Sequence, residues 1–336
     1  MTSPKKRVLS GIQPSGNLHL GNYLGAVRNW ARRLDERESL ICIVDLHAIT
    51  VPQDPQALRD NTRRMAAQLI ACGIDPSKCT LFVQSHVRAH TEATWLLMCQ
   101  TPLGWLERMT QYKSKAARQE KVQAGLLTYP VLQAADILLY DPHEVPVGED
   151  QKQHIELARD LAQRFNHLYG ETFRVPEPVI PEAGARVMGL DDPLQKMSKS
   201  AIGQGHAVYL SETDAQITKA IKRAVTDSGR EIGFSEDPER AGVNNLLSIY
   251  QALTGKSAPD VLADFENARG YGDLKMGVAE VVCQAVAPIR ERFEELMANP
   301  TELDGLLEEG AEKARALADP KVLEMKERLG FLPGRS

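Results

Sequence analysis

Gly11-Ile12-Gln13-Pro14-Ser15-Gly16-Asn17-Leu18-His19-Leu20-Gly21-Asn22 reads as the turn between a first strand and a first helix. Upstream, Arg7-Val8-Leu9-Ser10 is a short apolar run suited to a buried strand; downstream, Tyr23, Leu24, Val27, Trp30 and Leu34 recur at helical spacing. The join therefore falls at a helix N-terminus. Free backbone N–H groups and the positive end of the helix dipole attract phosphate there, and Gly11, Gly16 and Gly21 leave room for its approach. The spacing is not the G-x-G-x-x-G of dinucleotide folds, which would also set an acidic residue on the ribose about twenty positions on. Alone, such a turn is an ordinary device of α/β proteins, so its meaning depends on what the rest of the chain aims at it.

Outward from the turn, Ser39-Leu40-Ile41-Cys42-Ile43-Val44-Asp45 is a continuous apolar run that fits a parallel strand covered on both faces, with Asp45, His47 and Thr50 at its carboxyl end. Asp54-Pro55 gives an N-cap followed by proline at the first helical position; Leu58, Met65, Leu69 and Cys72 share a face until Gly73 closes the helix. Thr80-Leu81-Phe82-Val83 is a third strand. Alternating strands and helices predict a parallel sheet with right-handed crossovers. From His90 to Tyr140 the rhythm breaks into helices, which reads as an insertion between the halves of the sheet. The sheet resumes with Val145-Pro146-Val147, turns at Gly148-Glu149-Asp150 and enters a helix from Gln151 to about Leu168. This second strand-glycine-helix turn should face the first across the crevice where doubly wound sheets bind ligands. A proline-rich span, Val175 to Pro193, is read as holding a last strand, Arg186-Val187-Met188-Gly189-Leu190, that leads into Lys196-Met197-Ser198-Lys199-Ser200. Beyond Ser211 the pattern is helical, with capping boxes read at Ser211 to Asp214 and at Thr301 to Asp304, and a helix end at Gly255.

The bulk properties narrow the function. A chain of 336 residues, 43% hydrophobic and 25% charged, suits a soluble globular protein of one large or two ordinary domains. Its net charge of -5 argues against gripping DNA by bulk electrostatics, yet leaves room for RNA recognised by shape through a local basic patch. No apolar run is long enough for a membrane span and Met1 to Lys6 lacks a signal-peptide core, so a cytoplasmic address is expected. The five cysteines form no C-x-x-C pair; neither a zinc ribbon nor a disulfide framework is indicated, no protein metal site is expected, and Cys42 and Cys99 are read as core together with Met65 and Trp30.

Two short motifs give the turn its meaning. His19-Leu20-Gly21-Asn22 stands where class I aminoacyl-tRNA synthetases carry an H-I-G-H signature, with Asn in place of the last His, and Lys196-Met197-Ser198-Lys199-Ser200 is their K-M-S-K-S signature letter for letter. Two lysines and two hydroxyls on a loop can neutralise a triphosphate whose charge shifts to pyrophosphate as the bond breaks; the plain alternative is a solvated basic loop. With Gly11 to Gly16, Val44-Asp45-Leu46-His47-Ala48-Ile49-Thr50, Ala134 to Tyr140 and Val145 to Leu157, the chain resembles the bacterial tryptophanyl-tRNA synthetase family over nearly its whole length.

That resemblance implies a Rossmann-like catalytic domain over 1–204, with a helical insertion at about 86–143 and the K-M-S-K-S loop at 196–200. It further implies an all-helical domain over 205–290 that reads the tRNA anticodon, and leaves the helices of 291–336 free to pack back on the first domain. The implied reaction is ATP-dependent, Mg²⁺-assisted activation of L-tryptophan and transfer to tRNA(Trp), by a homodimer. By resemblance, Gln13, Pro14, Ser15, Gly21 and Asn22 hold ATP from one side, Gly148, Glu149, Asp150 and Val187 from the other, and Lys196, Met197, Ser198, Lys199 and Ser200 cover the phosphates. Lys196, Ser198 and Lys199 would be catalytic, as would Lys113, from a basic run with Lys115, Arg118 and Lys121 that is equally readable as a solvated helix face.

The implied tryptophan pocket carries Asp136 as acceptor for the indole N–H, with Tyr129, Gln133, Gln151 and His47 around it. Indole has one donor and no acceptor, so a buried carboxylate is a group that can select it. Asp136 could instead be a helix-surface charge, but Ala134, Ala135, Ile137, Leu138 and Leu139 around it argue for burial. Gln133 departs from the methionine common in the family. A Gln three residues before an Asp also occurs in tyrosyl-tRNA synthetases, so tyrosine specificity stays open, as does a non-catalytic paralogue that binds tRNA or regulates. A small-molecule adenylyltransferase would not need so long a helical C-terminal part.

Overall fold

The computed structural model describes residues 5–116, 122–146, 148, 151–179, 186–198 and 205–332. Glu149, Asp150, Lys199, Ser200, Arg118 and Lys121 lie outside the described residues.

The first half is a run of strands and helices. Strand β1 is Arg7–Ile12. The helix after it is built in three pieces, α1 (Leu20–Asn22), a π-helical stretch (Tyr23–Val27) and α2 (Arg28–Arg32). Strand β2 (Glu38–Ile43) leads to the short α3 (Asp45–Ala48), then α4 (Pro55–Ala71) and β3 (Thr80–Val83). Four helices follow: α5 (Ala89–Met98), α6 (Leu103–Glu107), α7 (Thr110–Ala116) and α8 (Ala124–Leu138). The sheet returns with β4 (Glu144–Pro146), and α9 (Lys152–Tyr169) connects it to β5 (Glu177–Val179). The remainder is helical: α10 (Asp214–Lys222), α11 (Ala241–Thr254), α12 (Ala258–Asp264), α13 (Tyr271–Ala298) and α14 (Pro300–Arg328).

The five strands lie in the order β3-β2-β1-β4-β5, every neighbouring pair parallel. Chain order reverses direction between β1 and β4, which makes their carboxyl ends the switch point of the sheet. The two strands register at Val8 and Glu144, while β1 pairs with β2 along its whole length. A crevice therefore opens between the ends of β1 and β4.

Alternation along the strands divides the core into two layers. Ile41, Ile43, Leu81 and Val83 face a cluster that holds Leu20, Leu24 and Val27 of the first helix, Met65 and Leu69 of α4, and Leu246, Val278 and Val282 of α11 and α13. Leu9, Leu40, Cys42 and Phe82 face the other layer, made by Leu97, Ala134, Leu161 and Phe165 and by Ala311, Ala314, Ala318 and Met325 of α14. Sheets buried on both sides need continuous apolar strands, as these are. Helix α14 lies on β3 so closely that a Cβ added at Gly310 would collide with the carbonyl oxygen of Leu81. Arg63 of α4 holds the start of α14 through both oxygens of Asp304, at 2.9 and 2.7 Å.

Four expectations need correcting. The last strand is Glu177–Val179, at the sheet edge, where its Pro178 withholds no needed donor. The 186–190 segment makes an isolated bridge, Met188 with Lys196, instead of joining the sheet. The capping box at the start of α10 is formed by Thr213 and Gln216, two residues later than read, and Asn299 occupies the N-cap of α14. Cys99 is exposed and Trp30 only half-buried, whereas Cys42 and Met65 are core.

Candidate active site

The turn after β1 is braced before any ligand arrives. His19 Nδ1 accepts the backbone N–H of Asn22, and Asn22 Oδ1 accepts that of His19, both at 3.2 Å, a reciprocal cap of α1. Main-chain bonds from Leu20 N–H to Val208 (2.8 Å) and from Leu210 N–H to Leu18 (3.0 Å) tie the turn to the segment that follows residue 204. Gly21 sits between the rings and chains of both: an added Cβ would stand 3.1 Å from His19 Nδ1 and 3.3 Å from Met197 Cβ. The two signature motifs thus touch at Gly21 and Met197. Glycine is needed there for clearance.

A second brace holds the segment that carries Lys196. Gly189 N–H bonds to Gln195 (2.8 Å) and Met197 N–H to Val187 (3.1 Å), closing a hairpin. No sheet strand flanks Met188; the side chain of Asn245 from α11, 5% exposed, accepts its N–H at 2.9 Å and donates to its carbonyl at 3.0 Å. His206, also buried, meets Asp191 through Nδ1 at 2.5 Å and the carbonyl of Lys196 through Nε2 at 3.3 Å. These side-chain contacts from Asn245 and His206 brace the stem from which Lys196 projects.

Between these braces lies a cavity of ≈ 720 Å³. Gln13, Gly21 and Asn22 line it from the β1 turn; Pro146, Gly148 and Gln151 from the facing turn; Tyr129, Gln133 and Asp136 from α8; His47 from α3; and Lys196 from the hairpin. Gln151 N–H bonds to the carbonyl of Gly148 at 2.9 Å.

The floor of the α8 side is a carboxylate met by three donors. Asp136 is 5% exposed. Its Oδ1 accepts Gln84 Nε2 at 2.6 Å and meets His90 Nδ1 at 2.7 Å, while Oδ2 meets His47 Nε2 at 2.7 Å. His90 Nε2 in turn meets Tyr140 Oη at 2.8 Å. Burial alone would push the Asp136 carboxyl up, but the hydrogen bonds and field of His47 and His90 outweigh it and hold it well below the usual carboxylate range. The group is an ionised, acceptor-only oxygen pair in an apolar wall. Nearby, Tyr129 Oη donates to Gln111 Oε1 at 3.1 Å and meets His154 Nε2 at 2.8 Å, and burial raises its phenol to about 12, so it stays protonated. Gln133 Nε2 reaches Gln151 Oε1 at 3.4 Å.

Of the residues singled out in the sequence, those lining the cavity are Gln13, Gly21, Asn22, Tyr129, Gln133, Asp136, His47, Gly148, Gln151 and Lys196. Val187 and Met197 are core residues behind it, each 2% exposed; Pro14 is buried in the turn, Ser15 is exposed and Ser198 half-buried. Lys113 is exposed on α7 and is not among the lining residues. Gln84, His90, Tyr140, Asn245 and His206 were not singled out by sequence. The available signal was polarity against background: Gln84 directly follows the apolar strand β3, His90 opens the apolar helix α5, and Tyr140 follows the apolar run of α8.

Residues 2–287 match the family model described as tRNA synthetases class I (W and Y). A tryptophan–tRNA ligase of Wolinella succinogenes is 51% identical over 98% of this chain and 99% of its own length, and one of Gloeobacter violaceus is 52% identical over 99% and 98%. The crystal structure of the tryptophanyl-tRNA synthetase of Campylobacter jejuni in complex with ADP and tryptophan superposes with a TM-score of 0.86 at 37% identity, over 97% of this chain and 100% of that one.

Proposed function

This chain belongs to the class I tRNA synthetases (W and Y), and from that premise we propose how its crevice works. It is a ligase that joins L-tryptophan to tRNA(Trp) using ATP. One observation carries the residue assignment: a single cavity is lined by the glycine turn of β1, by Lys196 and by the buried carboxylate of Asp136. Nucleotide and amino acid then meet end to end.

Asp136 accepts the indole N–H, and Tyr129, Gln151 and His47 surround the amino-acid head. Gln13, Gly21, Asn22 and Gly148 hold ATP along the switch point, with Pro14, Ser15 and Val187 backing them; the roles of Glu149, Asp150, Lys199 and Ser200 are carried by resemblance alone. A carboxylate oxygen of tryptophan, ionised at neutral pH, attacks the α-phosphorus, the bond to the β-phosphate oxygen breaks, and pyrophosphate leaves. No general base is needed, so rate comes from alignment and from charge stabilisation by Lys196 and the α1 N-terminus. A terminal ribose hydroxyl of tRNA then takes the acyl group and adenylate leaves.

Mg²⁺ belongs to the same proposal: bound with the nucleotide, it would neutralise phosphate charge. The helices between 205 and 290 are assigned to the tRNA anticodon arm; α10 presents Lys219, Lys222 and Arg223 around a surface depression. A homodimer acting in the cytoplasm completes the proposal: Trp95 and Leu103 on the inserted helices are 64% and 59% exposed, and no helix among the described residues can cross a membrane.

Amino-acid-dependent exchange of pyrophosphate into ATP, run with all twenty amino acids, tests this reading. Tryptophan should be the only strong substrate. Gln133 turns toward Gln151 in the structure, leaving Asp136 as the acceptor-only group; faster exchange with tyrosine would overturn that assignment.

A further inference from the structure

The donors gathered around Asp136 exceed what a paired charge requires. Gln84 and His90 are fully buried, Tyr140 is 1% exposed, and these three are not among the cavity's lining residues, whereas Asp136 and His47 are. They come from three separate places in the chain: Gln84 from the turn after β3, His90 from α5 and Tyr140 from just beyond α8. Phe82 packs on both the His90 and Tyr140 rings, at 5.9 and 5.7 Å between centroids.

A carboxylate offers about four lone-pair sites, two on each oxygen. Gln84 and His90 fill both sites of Oδ1, and His47 fills one of Oδ2. One acceptor site is left, on the oxygen shared with a residue that lines the cavity. The ring that feeds Oδ1 is itself held from behind. Asp136 can only accept, so His90 Nδ1 carries a proton and donates it to Oδ1, while His90 Nε2 is engaged by Tyr140 Oη at 2.8 Å. Burial drives the Tyr140 phenol far above the ordinary range, so its hydroxyl stays protonated beside that nitrogen. The orientation of the ring and the carboxylate rotamer are thus set from behind.

We infer that His90 and Tyr140 are positioning residues that turn Asp136 so that one acceptor site, and no donor, meets the amino-acid side chain, and that they thereby set selection for a ligand bearing a single N–H at that point. The inference rests on the assignment of Asp136 to the indole. A donor-lacking ligand of the same shape would leave that acceptor desolvated and unpaired, which is the costly case for a buried polar group.

The test compares tryptophan with β-(3-benzothienyl)alanine, in which sulfur replaces the indole N–H, in pyrophosphate exchange. The readout is the ratio of kcat/KM for the two amino acids, with KM for ATP measured alongside. The wild type should favour tryptophan by roughly 10²-fold, on the penalty for an unpaired buried acceptor. His90→Leu should cut that ratio about tenfold and Tyr140→Phe about threefold, while KM for ATP stays within about twofold. His90→Asn, whose amide can replace the Nδ1 donor, should recover most of the ratio. Should His90→Leu fail to fold, Tyr140→Phe, which removes one oxygen atom, decides the matter. An unchanged ratio in the His90 and Tyr140 variants, or equal losses on both amino acids, overturns the inference if Asp136→Ala collapses the ratio. If Asp136→Ala also leaves the ratio intact, the assignment of Asp136 itself fails and this inference falls with it.

Discussion

At Lys196, binding and rate come apart. The side chain is exposed on the rim of the cavity, where water screens a bound triphosphate, so one cation adds little to ground-state affinity. As the bond to the α-phosphorus breaks, charge builds on the departing pyrophosphate within a drier space, and there a fixed cation counts for more. Lys196→Ala should therefore lower kcat and kcat/KM for adenylate formation together, by about 10²-fold by analogy with a lost oxyanion donor, with KM for ATP nearly unchanged. Single-turnover rates for the two half-reactions check it; a defect confined to ATP affinity would make Lys196 a binding residue only. Asp136 gives a prediction of a different kind. Its carboxyl lies below its unfolded value of about 3.9, so it adds stability above that pH which is lost as pH falls through the folded value. The difference in unfolding free energy between wild type and Asp136→Asn should stay flat from pH 7 to about pH 5 and narrow only as pH falls on through about 4 in denaturant titrations, and a difference that widens toward acid would show that the carboxylate is not the favoured form. Asp136 itself was legible in the sequence as a charge stranded among alanines and leucines. His47 was placed beside it only by the resemblance; Gln84 and His90 were not legible, because they lie 52 and 46 residues away and nothing local indicates which distant polar group will meet it.

Elements whose cause is local were readable, and those completed by another part of the chain were not. Strands β1, β2 and β3 are unbroken apolar runs, and α4 carries its own signals: Asp54 caps Ala57 N–H at 2.8 Å and Gly73 has a φ of +99°. By contrast β5 is three residues long with a proline inside it, and the Met188 segment reads as a strand because its backbone does have a partner, the amide of Asn245, which no periodicity announces. The π-helical stretch in the first helix escaped for the same reason: Gly25 and Ala26 there line the cavity, a tertiary circumstance. Gly310 allows the logic to be checked. Glycine in mid-helix normally costs up to about 1 kcal/mol relative to alanine, so on propensity Gly310→Ala should stabilise α14. A Cβ would instead strike the Leu81 backbone, which no rotamer change relieves, and the variant should be destabilised by about 2–3 kcal/mol. Chemical denaturation gives the sign directly; a more stable Gly310→Ala protein would mean that α14 does not seat on β3 as described.

On the scale of the molecule, the two layers of core are closed by different stretches of chain. One cluster joins the first-turn helix to α11 and α13, so the helices after Ser211 share apolar contacts with the sheet that carries the site. The other is finished by α14, which packs along β3 and adds Ala311, Ala314, Ala318 and Met325 to the layer of Leu9, Leu40 and Phe82. Ending the chain at Asn299 should therefore do more than shorten it: the β3 side of that layer would lose its cover, and the product should show loss of cooperative unfolding and no pyrophosphate exchange, whereas a folded, active truncated chain would show that α14 is dispensable packing. The same arrangement has a consequence in time. Ala311 is made 229 residues after Phe82, the strand residue whose layer it completes. At about 5–20 residues per second, translation leaves that layer without its α14 portion for roughly 10–45 s after Phe82 is made. The helices of the insertion and α9 can cover the sheet first, so this side of the core closes in two instalments, and a chain interrupted before Ala311 carries the layer unfinished.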